Sequence, residues 1–280
     1  MPSINKHSRI RLVIADIDGT LITKQKLLTQ RSMQAVAKLH DAGIIFGVTT
    51  GRPPAGVKMF VNSLPHMRFI AGFNGGVIVN REFRVFKENL MDAVTAKEVV
   101  QVILEHGLDA WLYTDKDWYV RDPNAYRVDR ESATVQFPPK TVASLESLYA
   151  KGVAKIVGVG QDYDAVGRCE KNVQTRFAAR TSAARSQPFY LDVSHPNANK
   201  GEVVMAASDY FIIPVQEIAT IGDMPNDVTM FKKSGLSIAM RNAHEKVQQS
   251  ASLVTSSNDE EGFAEAVDNF ILPGIGVSAA

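Results

Sequence analysis

The chain has 280 residues, 45% hydrophobic and 22% charged, with a net charge of +1. This length suits one large domain or two smaller ones, and so even a charge balance argues against an electrostatic nucleic-acid or membrane-surface role. The single cysteine, Cys169, excludes an internal disulfide framework and a multi-cysteine metal site and fits a reducing, cytoplasmic compartment. The polar stretch 1–11 has no apolar core of signal-peptide length, and no apolar run reaches the ~18 residues that a membrane helix needs.

A buried strand is predicted at 10–15 from the run Leu12-Val13-Ile14, and Asp16-Ile17-Asp18-Gly19-Thr20 follows at its tip. Thr29 and Gly43 are plausible caps of a helix whose apolar stripe is Met33, Val36 and Leu39. Ile44 to Val48 reads as a second buried strand, running into Thr49-Thr50-Gly51-Arg52-Pro53 and a further helix. Phe69 to Ala71 is a third, ending at the turn Asn74-Gly75-Gly76. The middle changes character. Thr95-Ala96-Lys97-Glu98 reads as a capping box. Ala110–Thr114 and Trp118–Val120 form a hairpin. A strand at 155–159, a helix at about 162–177 and a strand at 189–193 complete an α+β insertion. Alternation then returns. Asn199-Lys200-Gly201 opens a helix. The strand Ile218–Ile221 ends in Gly222-Asp223-Met224-Pro225-Asn226-Asp227, and short strands follow at 236–240 and 252–255. The last helix, about 259–270, presents Phe263, Ala266, Val267 and Phe270 on one face. The alternating ends predict an α/β, doubly wound parallel sheet from 1–84 and 191–280, interrupted by a separate domain at 85–190.

Ligands of open α/β sheets bind beyond the carboxyl ends of the strands. Two carboxylates at such a tip are costly unless a cation or a reaction uses them. A hard divalent metal with oxygen ligands, and one Asp left as nucleophile, would use them. Thr50 with Gly51, Lys200, and Asp223 with Asn226 and Asp227 also fall at strand ends or a helix start, so one sheet edge can gather all of them. Each alone has a plainer reading, as a cap, a turn or a surface lysine. Together, and in this order, the plainer readings lose ground.

This order of motifs closely resembles the haloacid dehalogenase superfamily of phosphohydrolases. The matching pieces are Asp16-Ile17-Asp18-Gly19-Thr20-Leu21, Thr50-Gly51-Arg52, Asn199-Lys200-Gly201 and Gly222-Asp223-Met224-Pro225-Asn226-Asp227. The stretch Val254-Thr255-Ser256-Ser257-Asn258-Asp259-Glu260-Glu261-Gly262 is similar to the Cof-type subfamily. So is the insertion between the second and third motifs, where that subfamily carries an α/β (type IIB) cap. Gly76 departs from the Ala often found there. The resemblance implies a Rossmann-like core and a Mg2+ cofactor held by Asp16, the backbone carbonyl of Asp18 and Asp223, with Asp227 orienting metal-bound water. It implies Asp16 as the nucleophile that becomes an aspartyl-phosphate, and Asp18 as general acid and then base. The phosphoryl oxygens would be held by the Ile17 and Asp18 N–H groups, Thr50, Gly51, Lys200 and Asn226. The implied activity is that of a phosphatase of small phosphorylated metabolites. Sugar phosphates come first, followed by cofactors such as pyridoxal phosphate or FMN. No nucleic-acid or membrane partner is implied, and the chain would be a monomer or homodimer. A phosphomannomutase-like phosphomutase is the alternative, separated by assaying free phosphate. A non-catalytic phospho-ligand sensor would not need both Asp16 and Asp18. In the insertion, Trp111, Tyr113, Trp118, Tyr119 and Arg121 either pack that domain's own core or grip a sugar or heterocycle. His195 either reaches substrate or is a satisfied polar residue.

Overall fold

The computed structural model describes residues 9–275. Its strands are, in chain order, β1 (Leu12–Asp16), β2 (Ile45–Thr49), β3 (Met67–Gly72), β4 (Val77–Asn80), β5 (Val85–Glu88), β6 (Asp109–Tyr113), β7 (Trp118–Val120), β8 (Lys140–Thr141), β9 (Lys155–Val159), β10 (Ser182–Gln187), β11 (Tyr190–Ser194), β12 (Ile218–Gly222), β13 (Leu236–Ala239) and β14 (Leu253–Val254). They build two sheets in two compact units, one of residues up to 51, 57–87 and from 199 on, the other of 52–56 and 88–198.

The first unit holds an eight-stranded sheet in the order β14-β13-β12-β1-β2-β3-β4-β5, parallel from β14 to β3, with β4 antiparallel to β3. β1 lies between β12 and β2, so the strand order reverses beside it, the point at which open α/β sheets bind ligands beyond the carboxyl ends of their strands. β1 and β12 are buried along their whole length, as expected of strands covered on both faces. On one face Leu12, Ile14, Phe69 and Ile218 pack against Val203, Val204 and Ala207 of the Lys200–Phe211 helix. On the other, Ala35, Val36 and Leu39 of the Gln30–Asp41 helix are buried and Phe46 meets the Phe263 ring at 5.7 Å. Thr29 caps that first helix as the sequence predicts, its side chain accepting from the Ser32 N–H.

The second unit is a six-stranded sheet in the order β10-β11-β9-β6-β7-β8, antiparallel except between β7 and β8. The helices Ala93–Glu105 and Tyr163–Phe177 cover one face through Val99, Ile103, Val166, Cys169 and Val173, against Leu112, Ile156 and Leu191. Cys169 is a free, buried thiol there, pushed up to about 12 by burial. The segment that follows Gly51 packs with this unit, Arg52 donating to the Thr134 carbonyl at 3.4 Å.

Three boundaries differ from the sequence reading. The inserted unit starts at 88 and ends at 198, where 85–190 was expected, because β5 joins the large sheet and β11 the small one. The helix assigned to a capping box at Thr95 begins at Ala93: its N-cap is Asp92, whose oxygens take the Thr95 N–H at 2.9 Å and the Thr95 hydroxyl at 2.7 Å. The last helix is shorter than 259–270. A turn at Asn258–Glu260 and Glu261 at φ 63 precede Gly262–Ala266, and a wider turn, Val267–Ile271, follows.

Candidate active site

Asp16 ends β1 and is 5% exposed. The chain turns at once, with the Leu21 and Ile22 N–H groups donating to the Ile17 carbonyl at 3.1 Å. Gly19 sits in this turn at φ +94, and a Cβ there would lie 2.3 Å from Asp223 Oδ2. Glycine is required twice over, for the left-handed backbone and for the approach of the carboxylate. Thr20, next in sequence, donates its hydroxyl to Asp223 Oδ1 at 3.0 Å. The first and last motifs are thus tied together although 203 positions separate these two residues.

Asp223 and Asp227 belong to the turn beyond β12. Asp227 Oδ2 accepts the backbone N–H groups of Asp223 at 2.9 Å and Met224 at 2.8 Å, which folds the turn around that carboxylate. A Cβ on Gly222 would come within 2.4 Å of Asp227 Cγ, so the wrap needs a bare backbone. Lys200 is the first residue of its helix, whose N-cap Asn199 accepts from the Glu202 N–H. Its ammonium is 1% exposed and donates to Asp16 Oδ1 at 2.5 Å and Asp227 Oδ1 at 2.6 Å. Lys200 is therefore no surface lysine.

Two of the three clustered carboxylates, Asp16 and Asp227, share this ammonium, and Asp223 lies beside them. Burial pushes Asp16 up to about 8, against the pull of Lys200 and helped by the charges of Asp227 and Asp223. Burial also lifts Asp223 to about 6, with Asp227 adding to the rise. Burial opposes the charge of Lys200, but Asp16 and Asp227 outweigh it and hold the ammonium above its ordinary value. The cluster is short of positive charge. Oxygens of Asp16, Asp223 and Asp227 lie within 4.8 Å of one another, and this hard, anionic donor set suits Mg2+. The residues present fit that group.

The remaining expected residues fall into two places. The Asp18 carboxylate, about a third exposed, pairs with Lys26 at 2.7 Å. Thr50 is buried just past β2, its N–H on the Ala71 carbonyl at 2.9 Å and its own carbonyl accepting from Asn74 at 2.8 Å. Asn226 is exposed and donates to Asn74 Oδ1 at 3.1 Å, which links the Thr50 turn to the Asp223 turn. Ile17 is fully buried and Gly51 exposed. Sequence reasoning missed Thr20 and Asn74 as connectors. Asn74 stood out only as a turn residue, and its left-handed φ of 55 is the trace of that.

In the inserted unit the packing reading of the aromatics holds. Trp111, Tyr113 and Trp118 are fully buried, Tyr113 and Trp118 stack at 5.6 Å, and the Trp118 indole donates to the Phe137 carbonyl. Arg121 pairs with Asp109 at 3.0 Å. His195 accepts the Asn197 N–H through Nδ1 at 3.1 Å, an ordinary turn contact.

A family model of haloacid dehalogenase-like hydrolases matches residues 13–267. The chain belongs to this family. It is 27% identical, over 94% of its own length and 98% of the relative's, to the 5-amino-6-(5-phospho-D-ribitylamino)uracil phosphatase YwtE of Bacillus subtilis. A haloacid dehalogenase-like hydrolase from Bacteroides thetaiotaomicron superposes with a TM-score of 0.85 at 25% identity, covering 93% of this chain and 99% of that one. The subclass IIB sugar phosphatase BT4131 shares the fold at a TM-score of 0.79 and 21% identity, over 95% and 100% of the two chains. With relatives of this kind the chain is a phosphoric monoester hydrolase of the Cof type, its α/β core interrupted by a cap. Among the described residues no helix is long and apolar enough to cross a membrane.

Proposed function

We propose that this hydrolase releases phosphate from small phosphorylated metabolites, sugar phosphates foremost, through a phosphoryl group carried on Asp16. The observation that carries the reading is Asp16 itself, a buried carboxylate at the reversal of strand order, with one oxygen on the Lys200 ammonium and Asp223 beside it. The relative named for a phosphorylated ribityl group supports a polyhydroxylated leaving group.

An Asp16 oxygen forms the new bond to phosphorus as the bond to the leaving oxygen breaks. Asp18 gives that oxygen a proton, then takes one from a water whose oxygen attacks the phosphorus, freeing Asp16 and inorganic phosphate. Lys200, Thr50, Gly51, Asn226 and the Ile17 and Asp18 N–H groups hold the phosphoryl oxygens, so that catalysis is mainly positioning and charge stabilisation. Asp16, Asp223 and the Asp18 carbonyl would hold Mg2+, which offsets the negative charge of a phosphate dianion. Asp227 is proposed to steady that side of the site.

The test is a panel of sugar phosphates, pyridoxal phosphate, FMN and a generic aryl phosphate, assayed for free phosphate with Mg2+ and with a chelator. Release from at least one sugar phosphate, abolished by the chelator, is expected. Asp16→Asn should lower kcat by more than about a thousandfold, the scale for removing a nucleophile, with the fold intact. A variant retaining a tenth of the wild-type rate would rule out the covalent route, and transfer without free phosphate would favour a mutase.

A further inference from the structure

The stretch that follows β14 carries none of the residues assigned above to the chemistry, yet it holds the loop that follows β1. The Asn258 side chain donates to the Ile22 carbonyl at 2.8 Å, Asp259 Oδ1 accepts the Lys24 N–H at 2.9 Å, and the Thr29 hydroxyl donates to Glu261 at 2.7 Å. Asn242 stands where this brace reaches the carboxylates. Its Nδ2 donates both to the Gly19 carbonyl at 2.9 Å and to Asp223 Oδ2 at 3.2 Å, while its Oδ1 accepts the Asn258 N–H at 3.0 Å. Two acceptors on one side and an N–H on the other leave the amide a single sensible orientation.

Asp223 is thereby held by both oxygens, Oδ1 from Thr20 and Oδ2 from Asn242. Two donors on different oxygens stop the carboxylate from turning about its own bond. The second Asn242 bond fixes the peptide plane of Gly19, in a backbone conformation at φ +94 that has no helix or strand to support it. Mg2+ tolerates little departure from octahedral geometry, and groups that orient its ligands from behind commonly matter to affinity.

We propose that Asn242, clamped by the Asn258 segment, is a positioning residue that sets Asp223 and the Gly19 turn in the arrangement Mg2+ requires. The proposal rests on Asp223 being a metal ligand, as the function proposed above has it. Nothing in it concerns the leaving group.

The experiment compares wild type, Asn242→Ala and Asn258→Ala as full chains. Mg2+ and Mn2+ binding is followed by calorimetry, thermal unfolding is recorded in chelator, and aryl-phosphate turnover is measured against Mg2+ concentration. Asn242→Ala should weaken metal binding about tenfold, the low end for such partners, since the side chain is exposed and water can take its place. Its metal-free Tm should stay within about 2 °C of wild type, the scale of a surface change. Raising Mg2+ should restore most of its kcat, a recovery that a merely structural defect would not show. Asn258→Ala keeps the backbone N–H to Asn242 and should fall between the two. Unchanged metal affinity in Asn242→Ala would overturn the proposal while leaving the phosphatase reading intact. A wild-type chain that bound neither metal would overturn both. Wild-type binding without phosphate release would remove the activity alone.

Discussion

Lys200 bridges two buried carboxylates, and removing it is not a neutral change. Truncating one member of a buried ion pair commonly costs about 3–5 kcal/mol, because the partner is left charged without compensation. Here the partners can respond by taking up a proton or a metal ion. Lys200→Ala is therefore expected to lower the unfolding free energy measured by urea titration by an amount in that range when assayed in chelator, and by less with Mg2+ present. It should also depress kcat/KM for every ester together, since all share the phosphoryl group. Equal destabilisation with and without Mg2+ would count against a cation entering the cluster. The same scale decides between the two readings of the aromatics. A Trp118 substitution would report on the packing of the inserted unit, because the ring is fully buried.

At the scale of the element, the Ala93–Glu105 helix depends on Asp92. Hydrogen bonds from the Thr95 hydroxyl and N–H hold its carboxyl below the ordinary value. A carboxyl lowered on folding contributes stability above its unfolded value of about 3.9 and loses it as pH falls through the folded one. Asp92→Ala should cost about 1 kcal/mol at neutral pH, the usual worth of an N-cap. The difference from wild type, followed by urea unfolding, should shrink as pH drops below about 4. A gap that stayed constant down to about pH 2.5 would mean that the carboxylate is not what caps the helix. Two other elements show why the sequence under-reads this unit. The Val128–Val135 helix starts from Arg127 at φ 72, with no side-chain cap to announce it. β10, Ser182–Gln187, is polar and mostly exposed, and it is a strand because β11 offers it a ladder.

Across the whole molecule, the raised carboxyls make stability, pH and metal interdependent. Asp16 at about 8 and Asp223 at about 6 bind protons in the folded state that the unfolded chain has already released. Without metal the folded state thus carries more protons between about pH 4 and 8, so its stability should fall as pH rises through that window. Mg2+ competes with those protons and should raise Tm more at about pH 8 than at about pH 5. Thermal melts at both pH values, with Mg2+ and with chelator, check this. A metal-induced shift equal at the two values would contradict the charge deficit inferred for the cluster.

The sequence by itself determined the alternating core, the cap at Thr29, the helix opening at Asn199-Lys200-Gly201, and the acids that stand at the ends of β1 and β12. These signals are local: an apolar run, a capping side chain and a glycine turn each act within a few residues. It also carried the family, because its motifs fall in one order along one chain. Only the tertiary structure decided what those motifs touch. That Lys200 bridges Asp16 and Asp227, that Thr20 and Asn242 grip Asp223, and that Asn226 reaches Asn74 all depend on contacts spanning up to about two hundred positions. The assignment of Trp111 and Trp118 to a core, of β5 to the large sheet and of β11 to the small one was decided at the same level. Burial and strand pairing belong to the assembled sheet rather than to any segment of it, and no local pattern of residue types encodes them.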